Sequence, residues 1–438
     1  MGHALHRRRE LVPRIDFRRR VFFDDAYRSC IVPGTICVMT GGPDWLYPSR
    51  RRDRGLRARA VRAIDRAQRR MRKRVPPLLR IVSEIQAATG EGRLGIARDV
   101  VANWLRDGVD PRVFAAQALF DLPPERRREF IFGRELDAFL TRTLVADDRD
   151  LMRDKAGFAA HARRAGVPCP VTLAVINRRE KPSIDDALSI DAPEKLASAL
   201  EDLTSGAAVF LKPSVGKQGH GVFRVAHGGR ALDADGCDVP LATLVEQVFA
   251  YRHPVGAYGY LVQPALDSHH ELVALTGVDA LATLRVITAM RGGKSETVRA
   301  FLKIPAPGRL TNNFLGGVSG SLLSPVDLES GRLGKLAGLL RPRSRYVIER
   351  TSTHPVTGRR IEGAELPAWR DALTIAERGA ELFQRTATLG WDLALARSGW
   401  TVLEVNTMWG AGGPQAASHS GLRPDLARLF PEHWRARG

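Results

Sequence analysis

The chain has 438 residues, a formal net charge of +19 and four cysteines. Hydrophobic residues make up 44% and charged residues 26%, which are globular proportions and exclude a wholly disordered chain. At about 100–200 residues per domain the length suits two or three domains, and no run of about 18 uncharged apolar residues suggests a transmembrane segment.

The N-terminal stretch Met1–Arg20 is arginine-rich but lacks a following apolar segment, so no secretory leader is expected. Residues 1–50 read as irregular around Gly41-Gly42-Pro43. Cys30, Cys37, Cys169 and Cys237 form no CxxC pair, which favours neither a zinc site nor a disulfide framework and points to the cytoplasm. The charge is uneven. Residues 1–150 hold 32 Lys and Arg against 20 Asp and Glu. The densest part, Arg50–Arg80, has 14 basic and two acidic residues. Leu56, Ala60, Ile64, Ala67 and Met71 recur there at helical spacing and Pro76-Pro77 closes the run, so a basic helix with a narrow apolar stripe is expected. Three readings stay open for residues 50–80: contact with nucleic acid, contact with an anionic membrane surface, or a solvated face. The absence of Trp and Phe from the stripe weakens the membrane reading, and the lack of interleaved aromatics weakens single-strand stacking.

Helices are expected over Leu78–Ala88, Ala97–Arg106, Asp110–Leu119, Pro123–Phe132 and Glu135–Leu144. The pattern then becomes mixed. A helix is expected over Asp154–Ala165, ended by Gly166, and helical character over Ser183–Leu203. Trp369–Thr388 reads as a further helix. Strands are expected at Val171–Ile176, Ala207–Leu211, Val222–Val225, Tyr260–Pro264, Leu284–Met290 and Thr297–Leu302, with a hairpin of Leu393–Arg397 and Thr401–Val405 around Ser398-Gly399. The fold class is α+β.

Two segments carry chemistry. The first runs from Val209 to Val225, where a strand ends at Lys212 and a loop with Gly216, Gly219 and Gly221 leads into another strand. Glycines let backbone N–H groups close on phosphate oxygens, and lysine adds a point charge. This is strand–loop–strand and lacks the GxxxxGK[ST] spacing, and an ordinary hairpin loop is the alternative. The second runs from Gly390 to Asn406. Glu404 and Asn406 share one face of a strand, and Asp392 lies across the hairpin. Two carboxylates and an amide oxygen suit Mg²⁺, and the apolar residues around them argue against a merely exposed hairpin. His269-His270-Glu271 reads as a solvated polar turn.

Together these segments resemble the ATP-grasp fold, and its sugar-transfer-associated subfamily most closely. The resemblance extends to Leu151–Phe158 with Ala165–Pro168, to Leu281–Thr288 and to Leu310–Gly317, and it covers about residues 105–415. Ala282 and Asn312 depart from the pattern, which has Asn and Asp there. The resemblance implies two α+β subdomains clamping a nucleotide, preceded by a helical, basic N-terminal region. The boundaries it suggests are 1–100 for that region, 101–150 for a helical lead-in and 151–438 for the catalytic domain. It implies ATP and Mg²⁺ as cofactors. Lys155 and Lys212 would contact phosphates under a lid of Gly216, Gly219 and Gly221. Gln263, in preference to Glu246, would face the adenine. Asp392, Glu404 and Asn406 would hold metal, and Arg285, with Lys212, would act in catalysis. The alternatives are a helix-cap lysine at Lys155 and a structural ion pair at Arg285. The implied activity is ATP-dependent ligation of a carboxylate to an amine or thiol through an acyl-phosphate, in polysaccharide or secondary-metabolite biosynthesis. The alternative is an inactive nucleotide-binding regulatory protein.

Overall fold

A computed structural model describes residues 77–176, 184, 186–216, 219–252 and 259–434. The basic helix expected up to Pro76, the Gly41–Pro43 cluster, Cys30 and Cys37 lie outside the described residues.

The described chain starts with helix α1 (residues 77–89) and continues through α2 (Arg93–Asp107), α3 (Pro111–Ala116), α4 (Pro124–Arg127), α5 (Gly133–Thr143), α6 (Ala146–Arg153) and α7 (Lys155–Arg164). Pro111 and Pro124 each sit at a first helical position, where the missing N–H costs nothing. Ile81, Ile85, Ile96, Val100, Phe114 and Leu119 bury one shared core. Helix α1 is also fastened by charge. Glu84 accepts hydrogen bonds from the backbone N–H groups of Arg345, Tyr346 and Val347, the nearest at 2.9 Å, and pairs with Arg80 at 2.9 Å.

The first sheet has seven strands. They are β1 (Ala174–Ile176), β2 (Leu188–Ile190), β3 (Val209–Pro213), β4 (Phe223–Val225), β5 (Ala231–Asp233), β6 (Asp238–Val239) and β7 (Tyr260–Pro264). Their order is β2-β1-β7-β3-β4-β5-β6. Helices α8 (Pro193–Leu203) and α9 (Leu241–Ala250) cover it, with Leu196, Leu200, Leu244 and Val248 buried against Val209, Leu211 and Val225. Helix α10 (His270–Thr276) follows.

The second sheet is antiparallel throughout. Its strands are β8 (Thr283–Arg291), β9 (Lys294–Ile304), β10 (Leu322–Val326), β11 (Leu336–Gly338), β12 (Glu349–Thr351), β13 (Thr388–Ala396) and β14 (Gly399–Asn406), in the order β12-β11-β10-β9-β8-β13-β14. One face packs on α7 and α11 (Trp369–Glu381), with Phe158, Ala372, Ala376 and Trp391 in the core. The other face carries α12 (Gly412–Ser418), whose Ala416 and Ala417 meet Phe301, Leu323 and Ala337. Helix α13 (Arg423–Leu429) is the last helix among the described residues.

The α+β class stands, with local corrections. Leu188–Ile190 is a strand inside the segment expected to be helical, because it pairs in parallel with Ala174–Ile176. The helix from Trp369 ends at Glu381, and Thr388 already belongs to β13; there β-branched threonines favour the sheet. The expected helix over Pro123–Phe132 is one turn, Pro124–Arg127. The turn expected at His269-His270-Glu271 opens α10, with the His269 ring accepting from the Glu271 N–H.

Burial would raise the proton affinity of Glu84, but its bonds from Arg80, Tyr346, Arg345 and Ser344 outweigh that and hold the carboxyl below its ordinary value. The folded value is the lower one, so this stabilisation is present above about pH 4.5 and is lost as pH falls through the folded value. Glu84→Ala is expected to lower the unfolding free energy by about 1–3 kcal/mol in urea titrations at pH 7, with a smaller deficit at pH 3.

Candidate active site

The site forms where the two sheets face each other. On the first sheet, β3 and β4 pair antiparallel from Val209↔Val225 to Leu211↔Phe223, so the glycine loop is a strand–loop–strand element as its sequence suggests. Lys212 and Gly216 line the cleft. Gly219 (φ +72) and Gly221 (φ +70) adopt left-handed backbone. A Cβ on Gly219 would come within 2.9 Å of Thr311, and one on Gly221 would collide with the Tyr260 hydroxyl. Both positions therefore require glycine for conformation and for space. Gln263 of β7 is buried and lines the same cleft, its Nε2 donating to the Pro170 carbonyl at 3.4 Å. Glu246 lies on an exposed face of α9.

On the second sheet, neighbouring strands place Arg285, Asp392 and Glu404 side by side, with the pairs Asp392↔Arg285 and Asp392↔Glu404. Asp392 Oδ1 accepts from Arg285 Nε at 2.7 Å and lies 2.8 Å from Lys303 Nζ. Its Oδ2 accepts from Arg285 Nη2 at 2.8 Å and from Asn406 Nδ2 at 3.3 Å. Burial alone would raise the Asp392 proton affinity, but Arg285 and Lys303 hold the carboxyl well below the usual carboxylate range. For Lys303 burial wins, and its proton is held less tightly than usual despite Asp392. Asn406 Nδ2 also donates to Glu404 Oε1 at 3.3 Å.

Lys155 joins the two walls. It opens α7, whose N-cap Asp154 accepts from the Ala156 N–H and from the Ser214 hydroxyl. The Lys155 ammonium donates to the Gly216 carbonyl at 3.1 Å and lies 3.5 Å from Glu404 Oε2. Lys212 sits close enough to feel it. Burial, then repulsion from Lys155, lowers the Lys212 value to about 8, with Glu404 opposing.

The cleft has a volume of about 200 Å³ and brings together Lys155, Lys212, Gly216, Gly219, Gln263, Lys303, Asp392 and Glu404. Arg285 and Asn406 reach it through Asp392, and Gly221 stands behind it against Tyr260. The Arg285 ion pair is real, but it lies within the cluster. Lys303 is the residue that motif reading missed. Its signal is a single lysine inside the apolar run Ala300-Phe-Leu-Lys-Ile304 of a central strand. Asn312 also gains a role: its Nδ2 donates to Thr283 Oγ1 at 2.8 Å and to the Leu281 carbonyl at 3.1 Å. A carboxylate could not donate to that carbonyl. Chemically, four cationic side chains surround two carboxylates and an amide. That set can bind a polyanion and a hard cation together.

Residues 140–429 match the family described as sugar-transfer associated ATP-grasp, and the chain belongs to that family. Solved structures similar to it include D-alanyl-alanine synthetase A from Vibrio cholerae, at 14% identity over 64% of this chain and 65% of that one, TM-score 0.38. VanG D-Ala:D-Ser ligase from Enterococcus faecalis is similar at 12% identity over 65% and 62%, TM-score 0.35. L-amino acid ligase from Bacillus licheniformis is similar at 14% over 60% and 42%, TM-score 0.30. The chain spans less than two thirds of the length of each of these. No curated protein matches it. Among the described residues no helix is long and apolar enough to cross a membrane.

The buried cluster has an asymmetric response to mutation. Asp392→Asn leaves Arg285 and Lys303 adjacent without their shared anion, and is expected to cost about 3–5 kcal/mol. Lys303→Met leaves Asp392 paired with Arg285 and is expected to cost clearly less. Urea denaturation of the two variants measures the difference.

Proposed function

We propose that this protein is an ATP-dependent, ADP-forming ligase that joins a carboxylate to an amine or thiol through an acyl-phosphate. The observation that carries the reading is the convergence of Lys155, Lys212, Lys303, Asp392 and Glu404 in one cleft, with Arg285 and Asn406 bonded to Asp392 behind its wall. In this reading Lys155 and Lys212 bind the nucleotide phosphates, the backbone of Gly216, Gly219 and Gly221 covers them, and Gln263 faces the adenine. The carboxylate oxygen of the substrate attacks the γ-phosphorus and ADP leaves. The amine or thiol then attacks the acyl carbon, phosphate leaves with the bonding pair, and the nucleophile gives up its proton. Arg285 neutralises charge that spreads over the transferring phosphoryl oxygens. The closed loop keeps water from the acyl-phosphate.

The donor set fits Mg²⁺, since Glu404 and Asn406 offer hard oxygens from one face of β14 and Asp392 stands directly across. When bound, the ion would neutralise phosphate charge there. The biosynthetic setting proposed is a polysaccharide or secondary metabolite, and the compartment proposed is the cytoplasm. Anionic partners for residues 50–80 remain a separate proposal, since residues 50–76 lie outside the described chain.

One observation favours a second reading, an inactive nucleotide-binding regulator: Arg285 and Lys303 already satisfy both oxygens of Asp392. ADP release decides between them. Purified protein with Mg²⁺ and ATP is expected to release ADP only when a suitable carboxylate and amine are present, and Glu404→Ala is expected to lower that rate about 10²–10³-fold. Full turnover in Glu404→Ala defeats the ligase assignment, and tight ATP binding without turnover over broad substrate pools supports the regulator.

Lys212 adds a pH signature. Phosphate binding requires its protonated form, and burial beside Lys155 lowers its value to about 8. ATP affinity is therefore expected to fall as pH rises above about 8, with proton uptake on binding in calorimetry at that pH. Lys212→Met is expected to bind ATP more weakly and to flatten the profile.

A further inference from the structure

A second polar cavity, of about 280 Å³, lies away from the cleft. It is bounded by the end of α1, by Phe120 and Asp121, by Glu349 and Arg350 of β12, and by His419 after α12. The cross-strand row Lys303↔Leu323↔Ala337↔Arg350 puts Arg350 on the same sheet face as Lys303. Three strand spacings, about 14 Å, separate them. Helix α12 packs on this face, with Ala416 against Phe301, Leu323 and Ala337.

The cavity is lined by charged groups whose bonding capacity the described fold uses only in part. Arg350 is largely buried, and its Nη2 donates to the Ala416 carbonyl at 2.6 Å. Among the described residues no carboxylate forms an ion pair with it. Burial, opposed by the more distant Asp121, lowers its value to about 10. Glu349 gives one oxygen to Arg341 at 2.7 Å, while its other oxygen is buried without a hydrogen-bond partner. Asp121 stands at the rim and, among the described residues, forms no ion pair; burial raises its proton affinity despite His419 and Arg350. The His419 ring, tied through Nε2 to the Ala118 carbonyl at 3.1 Å, forms another part of the wall. A guanidinium with spare donors facing a carboxylate across a small cavity matches a ligand that carries both charges. The volume falls just under the range of pockets for drug-sized ligands, about 300–1,000 Å³, so the ligand is small.

We propose that this cavity binds a small zwitterion of the α-amino acid class, with its carboxylate on Arg350 and its ammonium on Asp121. The proposal does not depend on the ligase reading, and binding is measured without ATP. Calorimetric titration of the full chain with glycine, L-alanine and D-alanine tests it, with acetate and methylammonium as half-ligands. At least one amino acid is expected to bind with one-to-one stoichiometry, more tightly than either half-ligand. Arg350→Gln and Asp121→Asn are each expected to weaken that binding about tenfold, and Lys212→Met in the cleft to leave it unchanged. Asp121 lies at the rim, so its variant carries the test if Arg350→Gln does not fold. No binding by any of the three amino acids overturns the proposal. So does acetate binding as tightly as the best of them, or binding that survives Asp121→Asn and is lost in Lys212→Met.

Discussion

The site is organised around one buried carboxylate. Asp392 sits midway along β13, next to the edge strand β14 of the second sheet, and three strands converge on it: β8 supplies Arg285, β9 supplies Lys303 and β14 supplies Glu404 and Asn406. Burying a carboxylate alone is costly. Here two cations offset the cost, and the bidentate Arg285 contact fixes the plane of the group. The irregularity between Asp392 and Leu393 in the β13–β14 pairing falls at this point. The opposite face of the same strand is apolar. Trp391 packs against Phe158, and its indole N–H donates to Thr288 Oγ1 at 2.8 Å. One strand thus serves as core wall and as site floor.

The parts of this arrangement legible in the sequence are those that depend on local spacing. Glu404 and Asn406 are two apart on a strand, and Asp392 faces them across a tight hairpin, so their proximity follows from period two alone. The glycine loop was legible from composition, as Lys212 followed by Gly216, Gly219 and Gly221 between two apolar runs. Lys303 was not, because it reaches Asp392 only through the pairing of β9 with β8, and nothing local in Ala300–Ile304 names that partner. The Glu84 contacts were equally hidden, since the carboxylate meets backbone groups more than 260 positions away. The short strand Leu188–Ile190 was hidden because its conformation is imposed by a neighbour. The departures at Ala282 and Asn312 were visible as residues, but the bonds from Asn312 to Leu281 and Thr283 were not.

The positive charge acquires a more differentiated meaning. Several arginines in the described chain are internal fasteners. Arg299 contacts Asp425, Ser418, Ser420 and the Gly421 carbonyl. Arg423 makes two bonds of 2.8 Å to Glu135. The planar fork of arginine suits such multiple contacts. A basic composition therefore reflects architecture as well as any anion the protein binds.

Lys155 touches both walls of the cleft at once, through the Gly216 carbonyl and through Glu404. An ammonium has three donors, so it can exchange one partner while keeping another. Widening the gap by an ångström or two would part it from one side and leave that polar atom to water. The lysine thus works as a clasp between the Gly216 loop and Glu404, and an arriving anion would compete with Glu404 for the same amine.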